Sequence, residues 1–182
     1  TAVDKLGPVR HLVSPNKIHY TFIAAWSRTY PEATTWASPG VRERAARQKI
    51  TVRFDRDLQD MPPPQWTDDI DQLIFRGSRV MEEVVFFHRR SKTLILADLI
   101  ENFEPDKAPK KFRWLIRLGG CFDPDGKVPL DLRMTFWGHK AKARRCLERM
   151  LGWNPNTVIL AHGRWYRDNG IAHLRRAFRW LE

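Results

Sequence analysis

Three residues far apart in the chain follow closely on apolar runs. His19 comes after Val9 to Val13 and the Ser14-Pro15-Asn16 break, Asp98 after Leu94-Ile95-Leu96-Ala97, and His162 after Val158-Ile159-Leu160-Ala161. A carboxylate behind a buried strand needs a partner, because an unpaired one costs several kcal/mol or takes up a proton. Two imidazoles and one carboxylate are a common ligand set for a divalent cation such as zinc or iron. Three protein ligands also leave coordination positions for water or substrate. The competing reading needs no metal: Asp98 caps the turn that follows it, and a histidine donates a hydrogen bond to it.

Other polar groups could line the same pocket. Ser14 and Asn16 share the turn with His19, and Ser14 is a formal candidate for a nucleophile activated by that imidazole. No G-x-S-x-G elbow surrounds it, so that chemistry ranks low. His88 precedes Arg89-Arg90 at a turn, where a surface role is favoured over a ligand role. Arg164 and Trp165 follow His162 and could hold an anionic or aromatic ligand, or only pack together. His11 in a strand, His139 at a helix start and His173 in the last helix read as structural or exposed. No residue can be named as catalytic.

These positions must be set by strands and helices in alternation. Val9 to Val13, Thr34 to Ala37, Ile50 to Phe54, Asp71 to Phe75, Glu83 to Phe87, Thr93 to Ala97 and Val158 to Ala161 read as strands. Helical spacing covers Tyr20 to Tyr30, Lys110 to Leu118, Trp137 to Leu151 and Asp168 to Leu181, the last with Leu174, Phe178 and Leu181 on one stripe. Val41 to Gln48 reads as a short helix or loop. Met61-Pro62-Pro63-Pro64 fits neither helix interior nor central strand and is expected to be a stiff connection. Val84 to Phe87 and Leu94 to Leu96 are continuous apolar runs, as in strands covered on both faces. The order predicts a layered α/β domain, single over residues 1–182.

Composition narrows the function classes. A chain of 182 residues with eight Trp and ten Phe can build one real core and is not a disordered segment. No apolar run approaches the roughly 20 residues that span a bilayer, so no membrane partner is expected. Cys121 and Cys146 have neither CxxC spacing nor a disulfide framework, and buried thiols in a reducing compartment are the plain reading. That gives a cytoplasmic location, or an organelle stroma if a targeting peptide has been removed. The net charge is +11, which favours anionic partners. The basic residues are scattered among acids and the tryptophans are spread evenly, so a nucleic-acid platform ranks last.

The motifs resemble those of the metallo-β-lactamase superfamily, which includes hydroxyacylglutathione hydrolases and ribonuclease Z. Ser14-Pro15-Asn16-Lys17-Ile18-His19 would overlie its HxHxDH segment, Leu94 to Asp98 the strand before its bridging Asp, and Ala161-His162-Gly163 its last motif. Over nearly all its length the chain is similar to a bacterial and plant domain-of-unknown-function family (number 4336) at the degenerate edge of that superfamily. The blocks "GPVRHLVSPNKIHY", "PEATTWASPG", "EEVVFFHRRSKTLILADLIENF" and "VILAHGRW" carry that similarity. The resemblance implies a metallo-β-lactamase-like αββα sandwich. Relatives begin with extra strands before the segment matching near Leu6, so some N-terminal strands are expected to be missing.

The departures from the motif bear on activity. Ser14 and Asn16 stand where the first metal's two early histidines belong, and Arg79 or a neighbour stands in place of the middle one. In the second set Ile18 replaces the Asp, while His19, Asp98 and His162 match. Two-metal hydrolysis is therefore not expected. The resemblance implies either a hydrolase with one divalent metal, zinc or iron, or a metal-free, catalytically silent domain that binds a small anionic ligand or a protein partner. Substrate and oligomeric state are not legible.

Overall fold

A computed structural model describes residues 2–108 and 110–182. The chain divides into two compact units, residues 1–59 and 60–182.

The first unit is a βαβαβ segment. Strand β1 (His11–Val13) pairs in parallel with β2 (Thr34–Ala37), and β2 with β3 (Arg56–Asp57). Parallel neighbours need a crossover, and helices α1 (Ile23–Thr29) and α2 (Val41–Arg47) lie on those connections. Leu12, Tyr20, Ile23, Ala37, Val41, Ala45 and Phe54 form its core.

The expected strand Ile50 to Phe54 is not one: ladder pairing begins only at Arg56. Its alternation is real as burial, with Phe54 buried and Val52 half-buried. The backbone partners differ, however. The Asp55 carboxylate accepts the Thr35 N–H at 3.0 Å, and the Thr35 hydroxyl donates to the Arg53 carbonyl at 3.1 Å. Within the segment, side chains take the carbonyls of Arg53 and Phe54, and a backbone strand partner is met only at its end, where the Asp55 N–H donates to the Thr35 carbonyl at 3.0 Å.

The second unit is built on a sheet in the order β4-β5-β6-β7. Strand β4 (Ile70–Phe75) runs antiparallel to β5 (Glu83–His88), from Ile70 opposite His88 to Phe75 opposite Glu83. Strand β6 (Thr93–Ile95) returns antiparallel to β5, and β7 (Thr157–Ile159) lies parallel to β6. The connection from β6 to β7 carries α3 (Arg113–Gly119), α4 (Leu130–Met134) and α5 (Lys140–Gly152). Helix α6 (Gly170–Ala177) follows β7.

On α5, buried Ala143 and Met150 stand seven apart with half-buried Cys146 and Leu147 between them, the spacing of one helical stripe. They pack in one core with Leu73, Phe75, Val85, Phe87, Leu94, Val158 and Leu174. Helix boundaries are tighter than the periodicity predicts. Gly138 at φ +78° ends a turn through Trp137, so α5 begins at Lys140 rather than Trp137. Asn169 at φ +52° delays α6 to Gly170, and a 3-10 turn Arg179–Leu181 replaces its last turn. Among the described residues, no helix is long and apolar enough to cross a membrane.

Candidate metal centre

Asp98 lies beyond the end of β6, and its backbone is gripped from β5. Glu83, the first residue of β5 and fully buried, accepts the N–H groups of Ala97 and Asp98 on its two carboxylate oxygens, each at 2.8 Å. A buried carboxylate shared by two consecutive amides fixes the peptide that carries the Asp98 side chain. His162 stands three residues beyond β7, held by its carbonyl, which accepts the Asn102 N–H at 3.0 Å.

The two parallel strands thus deliver an acid and an imidazole to one place. His162 Nε2 lies 2.9 Å from Asp98 Oδ1, with Asp98 largely buried and His162 half-buried. The hydrogen bond to Asp98, and then its charge, raise the His162 pKa above the ordinary imidazole value against the opposing effect of burial. The Phe103 ring covers the imidazole at a centroid distance of 6.1 Å.

Three groups here escaped the sequence reading. One is Glu83, seen only as a strand residue. Another is Glu101, whose carboxyl is pushed up to about 7 mainly by burial. The charge of His162 pulls it down, and Asp98 and Asp131 push it further up. Asn102 is a third hidden element. Fully buried, it donates to Asp123 Oδ1 at 2.9 Å and to the Arg164 carbonyl at 2.7 Å, and accepts the Gly126 N–H at 3.0 Å. Its signal was available only as one of three polar or acidic positions, Asp98, Glu101 and Asn102, in an otherwise apolar block.

The remaining candidates are placed as follows. In the first unit, Asn16 is buried and its side-chain oxygen accepts the N–H groups of Ile18 at 2.9 Å and His19 at 3.1 Å. Buried Ser14 donates its hydroxyl to the Asn16 carbonyl at 2.9 Å. Both therefore build the turn that carries half-buried His19. In the second unit, His88 is at the far end of β5 from Glu83, and its Nδ1 pairs with Ser91 Oγ at 2.7 Å. A strand rises about 3.3 Å per residue, so His88 does not join Asp98 and His162. Arg164 is engaged with Glu104 at 2.8 Å and Asp123 at 3.1 Å. Arg79 is exposed. His11 accepts the Trp36 indole N–H at 3.3 Å, and His173 stacks on Tyr166 at 3.9 Å, so both are packing residues.

Among solved structures, the fold of this chain is matched by metallo-β-lactamase-fold proteins. A metallo-β-lactamase from Pontibacter korlensis is 14% identical with a TM-score of 0.64, over 98% of this chain and 71% of its own. The flavodiiron protein from Giardia intestinalis is 12% identical with a TM-score of 0.63, over 98% of this chain and 44% of its own. The DIM-1 metallo-β-lactamase is 17% identical with a TM-score of 0.57, over 93% of this chain and 65% of its own. The chain therefore spans less than two thirds of the DIM-1 enzyme and under half of the flavodiiron protein. At these identities the shared property is the fold: this is a metallo-β-lactamase-fold protein. Within that class it belongs to the family described as domain of unknown function (DUF4336), whose model matches residues 1–114. No curated protein matches the sequence.

Proposed function

We propose that His19, Asp98 and His162 hold one divalent cation, zinc or iron, and that the protein is a single-metal hydrolase of the metallo-β-lactamase fold. The observation that carries this reading is the 2.9 Å approach of His162 Nε2 to Asp98 Oδ1. That pair offers a ring nitrogen and a carboxylate oxygen, and His19 would add a second ring nitrogen, a donor set suited to zinc or iron. Ser14 and Asn16 support a single ion rather than two, since both are committed to local backbone groups.

A bound ion would act as a Lewis acid toward water and toward a carbonyl or phosphoryl oxygen. The chain's own contribution is positional. Glu83 fixes the Asp98 peptide and Asn102 fixes the His162 carbonyl, while the Phe103 ring neighbours the imidazole. Glu101, whose carboxyl burial pushes up to about 7, is a group beside the pair that would be drawn toward its charged form by a bound cation.

The same 2.9 Å contact favours a second reading, a metal-free ion pair in a catalytically silent domain. Elemental analysis of protein purified without chelator separates the two. The hydrolase reading expects about one equivalent of zinc or iron per chain, lost in His162→Ala. Substoichiometric metal in the wild type, unchanged in the variant, would leave the metal-free pair.

A further inference from the structure

Two short helices of the second unit hold large apolar side chains out in water. On α3, Trp114 is 65% and Leu118 67% exposed. They stand four apart and share one face of the helix. On α4, Leu130 and Met134 repeat that spacing, both exposed, and Trp137 follows at 79%. The two helices touch, and Arg133 Nη2 of α4 donates to the Gly119 carbonyl at the end of α3 at 2.9 Å. Single exposed apolar residues are ordinary on a protein surface, whereas a group of them marks an interaction site.

The charge around α3 is of one sign. From Lys107 to Phe122 there is no Asp or Glu, and five residues are Lys or Arg. Two of the five are engaged locally: Lys107 pairs with Glu104 at 2.8 Å, and Arg113 Nε donates to the Ala108 carbonyl at 3.2 Å. Lys110, Lys111 and Arg117 are exposed, the first two in the 3-10 turn Lys110–Phe112 that leads into α3. Arg117 is three residues from Trp114 and so shares its side of the helix. The one acid in the two helices, Asp131 on α4, accepts the Leu132 N–H at 2.9 Å.

The occupant of this face must suit both features. A second copy of the chain does not, because a two-fold contact would set the basic segment against itself, and like charges across an interface are costly. A bilayer surface with anionic headgroups suits both. Trp and Leu enter the interfacial layer, and Lys and Arg stay at the level of the headgroups. Spanning length does not bear on this, since a helix lying in the interface needs one apolar face rather than about 20 apolar residues. We infer that α3, with the turn before it, docks on an anionic lipid surface through Trp114 and Leu118, with Lys110, Lys111 and Arg117 at the headgroups.

Co-sedimentation of the full chain with vesicles at low ionic strength tests this, using phosphatidylcholine alone and phosphatidylcholine mixed about 3:1 with phosphatidylglycerol. Binding is expected to the mixed vesicles and not to phosphatidylcholine, and raised salt should weaken it. Trp114→Ala with Leu118→Ala keeps the net charge and is expected to weaken partitioning roughly tenfold. General attraction of a basic protein to anionic lipid would leave that variant unchanged. Lys110→Gln with Lys111→Gln is expected to lose roughly tenfold or more. Arg90→Gln with Lys92→Gln removes the same charge from the turn between β5 and β6 and should lose less than about threefold. All six positions are exposed, so each variant should keep its urea midpoint. Should the Trp114 and Leu118 pair fail to fold, Leu118→Gln alone carries the test, with roughly threefold weaker binding expected. No binding to the mixed vesicles, or equal binding by wild type and the folded Trp114 and Leu118 variant, overturns the inference. Binding of polyglutamate without binding of vesicles also overturns it, and would assign the face to an acidic protein.

Discussion

Gly163 and Asn102 pass so close that a Cβ on Gly163 would lie 1.9 Å from the Asn102 carbonyl oxygen. The same contact is a short parallel bridge in which Asn102 N–H donates to the His162 carbonyl at 3.0 Å and Arg164 N–H to the Asn102 carbonyl at 2.8 Å. His162 is therefore positioned by a backbone clasp that only glycine permits, and Gly163 also sits at φ +91°.

Gly163→Ala is expected to destabilise the protein by about 3 kcal/mol or more, since both backbone strain and a backbone clash must be relieved. Urea denaturation measures the loss. Relief must come through movement of the segment bearing His162, so metal binding, where present in the wild type, is expected to fall in the same variant. A near-neutral stability change would show that the clasp does not hold this segment.

Glu83→Gln tests the grip on Asp98. The carboxylate serves two amide donors at 2.8 Å each, while a carboxamide keeps one acceptor and turns an NH2 toward the other amide. Loss of one charge-assisted bond in a buried place, with a donor facing a donor, predicts a cost of about 2–3 kcal/mol. Glu83→Ala leaves both amides unpaired and should cost more. If Gln and Ala variants were both as stable as wild type by chemical denaturation, Glu83 would have no part in fixing the Asp98 peptide.

Legibility of this molecule in its sequence divides by range of interaction. Strand β2 falls on Thr34 to Ala37 as expected, and Ser38-Pro39-Gly40 directly after it is a local stop signal. Asp98 and His162 were visible as polar residues closing apolar runs, although the strands expected to reach Ala97 and Ala161 stop at Ile95 and Ile159, three residues before each. Glu83 and Asn102 were not, since what each does is decided by partners at least 14 positions away. The segment Ile50 to Phe54 shows the complementary failure. Alternation reports which side chains face inward, and it is silent on whether the backbone finds a ladder partner or, as here, the side chains of Thr35 and Arg42.

The pH dependence of stability offers a last check away from the candidate site, at the start of β4. Arg89 forms a two-point fork on Asp71, Nε to Oδ2 and Nη2 to Oδ1, each at 2.7 Å. That hydrogen bonding holds the Asp71 pKa below the ordinary carboxylate range despite partial burial. A carboxyl with a depressed folded pKa contributes stability above its unfolded value, roughly 3.9, and loses it as pH falls through the folded value. Arg89 is 45% exposed, so solvent screening limits the contribution to about 1 kcal/mol or less. Asp71→Asn should therefore be less stable than wild type by that margin at pH 7, with the gap closing as pH falls below about 4. Raised salt should narrow the gap at pH 7 as well. Paired urea melts across pH 3 to 7 decide it, and a gap that widened toward acid would mean that Asp71 is not stabilised as the anion.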